Sequence, residues 1–393
     1  MKPDYLFTAG WRVFFLSAGL WAVISVAIWL MWLLGLIDGD HLGVVPQTWH
    51  AHEMIFGYAT AAMGGFFLTA VPNWTGAKAA PERFVMLVSG LWLAGRLAVC
   101  LAGYLPAVVV AAIDLAFLPV LAAKILTQLL VKPKPQNMMF LLLISLVWTS
   151  NLLVHLDWMG LTNTGWQGLR GGLLTVCAMI AVLGGRVTPA FTRNALLREG
   201  RPDRLPVEHR RLDAAGIILA IATAVAVLIG LPDAVGAVLA ILAGLAAAAR
   251  LSGWRGLALP GQPIVWVLHL GYGMLALGLV LWGLAQLGLG DEMAALHVLG
   301  IGAVGGMTLA VMSRATLGHS GRALVAPGPV ALAYALIPVA VVLRWAGSTF
   351  PGSFYLPGVL GSGLAWCLAF TLYVVALWPI FVGPRSNGKE AAA

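Results

Sequence analysis

Twelve long apolar runs, each bounded by proline, glycine or charged residues, constrain this chain more than any motif does. They lie at about residues 12–37, 49–72, 82–102, 106–131, 136–158, 166–192, 209–230, 232–250, 263–290, 292–318, 327–347 and 356–382. A bilayer's hydrocarbon core takes about 20 apolar residues of helix to cross, so each run predicts one membrane-spanning helix. Only 10% of the 393 residues are charged and 61% are hydrophobic, whereas a soluble domain carries about 25% charge. Almost no sequence remains for a water-soluble catalytic domain, so any chemistry must be held by side chains within the spans or at their ends. Cys100, Cys177 and Cys367 lie inside apolar runs without CxxC spacing, which argues against a disulfide framework or a thiolate zinc site. The first run is long enough to span and no small-residue cleavage site follows it, so a retained helix is expected rather than a removed signal.

The charges sort by face. With Lys2 and Arg12 on the cytoplasmic side, all of the 23 lysines and arginines except Arg96, Arg170 and Arg344 fall on that side. The opposite connections carry Asp38, Asp40, Asp157, Asp233, Asp291 and Glu292. Basic residues in short loops mark the cytoplasmic face, so both termini are expected inside, and the net charge of +8 is a matter of orientation rather than of nucleic-acid binding. The longest connection, about residues 193–208, is expected to be an irregular, arginine-rich cytoplasmic loop. Glycine pairs open a recurring pattern at Gly64-Gly65, Gly184-Gly185 and Gly305-Gly306, at intervals of 120 and 121 residues. Such a period predicts three parallel four-helix repeats of about 10–132, 133–255 and 262–383 with pseudo-threefold symmetry, within one membrane domain spanning 1–393. Glycine pairs are also ordinary helix-packing devices in membranes.

Ionisable groups inside spans are costly and are candidates for function. His52, about 5 Å into the second span, and His297, about 8 Å into the tenth, lie at similar depth. In a threefold arrangement two such imidazoles can approach one iron from opposite sides, and the small face of Gly300, Val304 and Gly305 below His297 would admit a flat macrocycle. His50, two residues from His52, points about 160° away from it on an unbroken helix; like His41 it reads more readily as an interfacial anchor. His155, His269 and His319 are further candidate metal ligands, with packing or interhelical hydrogen bonding the alternative; His209 reads as solvated. Glu53 is placed to accept a proton or to fix a histidine tautomer, and Asp114 to pair with a neighbouring helix. Arg96, Arg170 and Arg344 are candidate carboxylate partners, with interhelical salt bridges the alternative.

The segments Trp49-His-Ala-His-Glu-Met-Ile-Phe-Gly57, Gly65-Phe-Phe-Leu-Thr-Ala-Val-Pro-Asn-Trp-Thr-Gly76, Gly184-Gly-Arg-Val-Thr-Pro-Ala-Phe-Thr-Arg-Asn194 and Ser313-Arg-Ala-Thr-Leu-Gly-His-Ser-Gly-Arg322 together resemble the NnrS family of bacterial membrane proteins. The resemblance covers essentially the whole chain; Ser313 and Ser320 stand where Thr is expected and keep the hydroxyl. It implies a multi-pass protein of the bacterial inner membrane, associated with haem b and copper and produced in the response to nitric oxide. On that basis His52 and His297 are the expected haem ligands, and Arg96, Arg170 and Arg344 the partners of the haem propionates. Copper ligands are sought among His50, His155, His269 and His319, and Glu53 is the expected proton carrier or the hydrogen-bond partner of a ligating histidine. The expected partners are nitric oxide or a related small molecule, membrane lipids and an electron donor in the membrane or periplasm.

The all-α, twelve-helix architecture is also similar to the large subunit of haem-copper oxidases. That subunit binds copper through histidines on helices 6 and 7, and here helix 6 has Cys177 but no histidine while helix 7 has only His209. Three readings stay open: a haem and copper protein that binds or reduces nitric oxide, as an oxidoreductase if it turns over; a transporter of a metal, a nitrosyl-iron species or a small solute; and an assembly partner of a respiratory complex.

Overall fold

The structure, a computed structural model, describes residues 5–39, 42–350 and 352–386; His41, Asp40, Lys2 and Lys389 lie outside them. All regular structure among the described residues is helical. Twelve helices are long and apolar enough to cross a membrane: α1 Gly10–Leu33, α2 Pro46–Thr75, α3 Glu82–Cys100, α4 Ala107–Leu129, α5 Pro135–Trp158 and α6 Gly165–Arg198, then α7 Arg210–Leu228, α8 Asp233–Ser252, α9 Pro263–Gln286, α10 Glu292–His319, α11 Gly328–Thr349 and α12 Tyr355–Phe381. Each corresponds to one apolar run in the sequence. Proline at the first turn, where its missing N–H costs nothing, opens α2, α5 and α9. The Asp291 side chain caps α10 by accepting from the Ala294 N–H at 2.6 Å. Gly76, in the left-handed region at φ 74°, ends α2.

Several boundaries differ from the sequence reading. The second helix begins at Pro46, a turn ahead of the expected start, so His50 and His52 lie inside α2 rather than opening it. The sixth continues through Pro189 to Arg198, and the connection expected at 193–208 shrinks to the residues after it, with a short 3-10 turn at Pro202–Arg204. Two helices are not uniformly α. In α2, residues Glu53–Ala59 are π-helical, and in α10 so are Val298–Gly305; each segment begins directly after a histidine, His52 or His297.

The chain forms two compact units. The first comprises Met1–Gly172, Ala315–Ala323 and Val374–Ala393, and the second Leu173–Arg314 and Leu324–Tyr373. Three basic residues counted toward orientation are buried in helix packing. Arg12 donates from Nη1 to the carbonyls of Ile380, Phe381 and Gly383 at 2.7–2.9 Å, tying the first helix to the last; Arg250 and Arg314 are 4% and 6% exposed.

The three glycine pairs are all sites of close approach, each to a different kind of neighbour. Gly64 and Gly65 face Phe14 and Phe15, Gly185 faces the Arg250 guanidinium, and Gly305 faces Trp366. In the second unit α8 and α9 approach each other closely. A Cβ on Gly244 would stand 2.6 Å from the Ala276 carbonyl oxygen, and one on Gly283 the same distance from that of Ala237. With no hydrophobic force between helices in lipid, such small-residue contacts supply the packing. Gly283→Leu is therefore expected to lower the stability of the purified protein by about 1–3 kcal/mol, read as a fall in melting temperature in detergent. Gly90→Leu, at an exposed position with nothing within 4 Å of its Cβ, should leave the melting temperature unchanged or slightly raised.

Candidate metal centre

Six polar side chains from four helices converge in the first unit: His52 and Glu53 of α2, Arg96 of α3, Asp114 of α4, and Asn151 and His155 of α5. All are at most 5% exposed. Asn151 and His155 are one helical turn apart and share a face, while His52 and Glu53 sit where α2 passes from α to π geometry.

Arg96 lies at the middle. Its Nη1 donates to both oxygens of Glu53 at 2.7 Å, and its Nη2 donates to Asp114 Oδ1. Glu53 Oε2 also accepts from the Trp21 indole at 2.8 Å. The other Asp114 oxygen, Oδ2, accepts from Asn151 Nδ2 at 2.7 Å and from His155 Nε2 at 2.9 Å, and it lies 3.3 Å from His52 Nε2. Removing ions from water costs several kcal/mol each, which close pairing and full hydrogen bonding must offset. Here two carboxylates share one guanidinium and take their remaining bonds from indole, amide and imidazole donors.

His52 closes the network. Its Nδ1 is 3.0 Å from Glu53 Oε1 and its Nε2 is 2.9 Å from Asn151 Oδ1. Asn151 spends its Nδ2 on Asp114, so its oxygen faces His52. Every group facing the two ring nitrogens is thus an acceptor. That is the arrangement of an imidazolium, or of an imidazole whose Nε2 holds a metal ion. Either cation balances the cluster, in which two carboxylates otherwise face a single arginine.

One atom each from His52, Asp114 and His155 lie within 4.8 Å of one another, the separation at which three ligands can share an ion. Two imidazole nitrogens and a carboxylate oxygen suit a divalent copper, zinc or iron ion, so the residues present fit a metal. The Trp158 ring packs against both imidazoles, 4.8 Å from His52 and 5.2 Å from His155 between centroids. It also lines a cavity of about 670 Å³ together with Trp32, Asp38, Val44, Pro46 and Asp157.

The remaining candidates from the sequence are elsewhere. His50 is half-buried and stacks on Trp29 at 4.9 Å. His297 is half-buried, and its Nδ1 donates to the Met293 carbonyl at 2.6 Å. His269 is buried, with Nδ1 3.1 Å from the Val265 carbonyl and Nε2 3.3 Å from Thr192 Oγ1. His319 is exposed and stacks on Trp11 at 6.4 Å. Arg170 lies over the Trp166 ring at 5.2 Å, and Arg344 donates to Ser348. The sequence reading singled out His52, Glu53, Arg96 and His155, and Asp114 as the partner of a neighbouring helix, which it is through Arg96; it did not bring them together, and it missed Asn151, Trp21 and Trp158. The i, i+4 spacing of Asn151 and His155 was the available signal.

Compared with known families, the chain matches the family described as NnrS protein over residues 5–385. No curated protein matches it.

The central ion pairs set a stability prediction. Arg96→Gln strands two buried carboxylates and should cost about 3–5 kcal/mol, seen as a large fall in melting temperature in detergent. The double variant Arg96→Gln, Glu53→Gln should recover part of that loss, because the two residues form one network.

Proposed function

We propose that this chain, which belongs to the NnrS family, is a metal-binding membrane protein of the bacterial nitric oxide response whose non-haem metal centre is formed by His52, Asp114 and His155. The observation that carries this reading is the convergence of the three ligand atoms within 4.8 Å in a fully buried site. Copper, which the family resemblance implies, is compatible with that donor set. When bound, the metal would supply a Lewis-acidic position at which a small neutral molecule such as nitric oxide can coordinate.

The protein's own groups have distinct parts in this proposal. Asp114 and the two histidines hold the ion. Asn151 aims Asp114 through its amide N–H. Glu53 acts as a positioning residue, because its carboxylate faces His52 Nδ1 and leaves Nε2 to the metal side of the ring. Arg96 bridges Glu53 and Asp114 through its two terminal nitrogens. Trp158 excludes water from the imidazoles while lining the neighbouring cavity, from which a diatomic ligand would arrive once the indole moves.

For haem b, the residue best supported is His297. Its Nδ1 bond to a backbone carbonyl is the arrangement that directs a histidine's other nitrogen toward a metal, and Arg344 of the same unit is the propionate partner to propose with it. His52 is assigned to the metal ion instead, with the Glu53 carboxylate at its Nδ1 and Phe56, His155 and Trp158 packed around its ring. The haem and the metal ion are thus assigned to different histidines. The inner membrane is the location proposed, with the metal centre toward the periplasmic end of the helices.

Metal analysis with optical spectroscopy tests the assignment. The wild type is expected to hold one equivalent of non-haem metal, lost in Asp114→Asn and in His155→Ala with the Soret band unchanged. His297→Ala should do the reverse, losing the Soret band and keeping the metal. Unchanged metal content in both Asp114→Asn and His155→Ala would overturn the centre.

A further inference from the structure

The segment Gly184–Asn194, distinctive in the sequence, takes no part in the metal centre. In the structure its polar residues have a common destination. Gly185, Arg186, Arg193 and Asn194 of α6 line a cavity of about 460 Å³ together with Asp213 of α7 and Arg250 of α8. Arg186, Arg193 and Asn194 are seven and eight residues apart, two helical turns, so they present one face.

Arg250 is the buried anchor, 4% exposed. Its Nε donates to Asp213 Oδ1 at 2.7 Å. Its Nη1 donates to the Ala181 carbonyl at 3.0 Å and to the Tyr272 hydroxyl. These bonds hold the guanidinium plane, and its remaining nitrogen, Nη2, lies against the α6 backbone. A Cβ at residue 185 would stand only 1.9 Å from Nη2, so the second glycine of the pair is what admits this arginine to the cavity wall. Three guanidinium groups thus face two carboxylates, Asp213 and Glu208. The Glu208 pair with Arg193 is 3.3 Å long and about half exposed on both sides, a weak restraint on Arg193.

From this geometry we infer that the cavity is a binding site for a phosphate-bearing organic ligand, held by Arg186, Arg193, Asn194 and Arg250. Guanidinium forks match phosphate oxygens with paired N–H donors. The volume lies in the range of sites for small organic molecules rather than bare ions. The site lies where α6 ends, α7 begins and α8 ends, and Leu197 of α6 and Ile218 of α7 are exposed apolar side chains, 50% and 64% accessible. A lipid headgroup and a free organic phosphate both meet these requirements.

The experiment uses the full chain, delipidated in neutral detergent, and measures binding of phosphatidylglycerol and of glycerol 3-phosphate, with chloride at matched ionic strength as the baseline. Binding of the lipid alone identifies a headgroup site, and binding of glycerol 3-phosphate identifies a free organic phosphate. In either case Arg186→Gln with Arg193→Gln should weaken it by about tenfold or more. Arg193→Gln alone, at an exposed position that folding does not depend on, should weaken it measurably. Arg204→Gln with Arg211→Gln removes the same charge from exposed positions outside the cavity and should have little effect. The inference is overturned if neither phosphate binds above the chloride baseline, or if the exposed pair of substitutions weakens binding as much as the cavity pair.

Discussion

The fork between Arg96 and the carboxylates of Glu53 and Asp114 is the interaction on which the first unit depends. In a helix bundle surrounded by lipid, apolar side chains gain little by choosing each other over the bilayer, so apolar packing alone specifies register weakly. A guanidinium that must satisfy two carboxylates from two other helices specifies it strongly, because a slip of one residue in α2, α3 or α4 would strand a buried charge. Trp21 from α1 and the Asn151–His155 face of α5 add donors to the same two carboxylates. Five helices are thereby indexed against one cluster of charge.

The cluster also bears on how arginines in spans should be read. Arg96, an exception to the expected positive-inside pattern, has its charge spent inside the protein on Glu53 and Asp114, so it carries no orientation signal. Arg12, Arg250 and Arg314 conform to the pattern, and yet they too are buried. Arg12 bonds helix-terminal carbonyls, Arg250 bonds Asp213 and a backbone carbonyl, and Arg314 lies 3.8 Å over the Phe191 ring. A loop count of basic residues therefore mixes solvated charges with structural ones, and only burial separates them.

The number and rough extent of the helices were legible because hydropathy reports directly on the length of chain that tolerates hydrocarbon. The boundaries were less so. The run Ala190-Phe-Thr-Arg-Asn-Ala-Leu-Leu-Arg loses its apolar character at Arg193, but alanine, leucine and arginine are good helix formers and α6 continues past the point where hydropathy stops. At the candidate metal centre, residue type and depth nominated His52, Glu53, Arg96, Asp114 and His155 one at a time. Which of them meet depends on how α2, α3, α4 and α5 are rotated about their axes, and this is set by packing partners distant in sequence. Asp114 was expected to pair with a neighbouring helix and does so through Arg96; that it also joins Asn151 and His155 is visible only once all three are placed.

The π-helical segment after His52 follows from the same requirement. A π turn inserts an additional residue, rotates the following side chains and leaves carbonyls without their usual α-helical partners, and such segments are often found at functional sites. In α2 the Gly57 carbonyl accepts from the Trp92 indole at 2.9 Å, and the Thr60 hydroxyl donates to the Phe56 carbonyl, so the irregular turn is satisfied by side chains. Gly57 is also where the cluster crowds the helix. A Cβ there would stand 2.6 Å from the Trp21 indole nitrogen and 2.8 Å from both Arg96 Nη1 and Glu53 Oε2. His52, Glu53 and Gly57 therefore act as one local device: a candidate ligand, the carboxylate that faces its Nδ1, and the missing side chain that lets an arginine reach that carboxylate. In α10 a π segment likewise begins directly after His297, whose ring is fixed by a carbonyl in place of a glutamate, so the two helices share a way of presenting a histidine while differing in the charge that accompanies it.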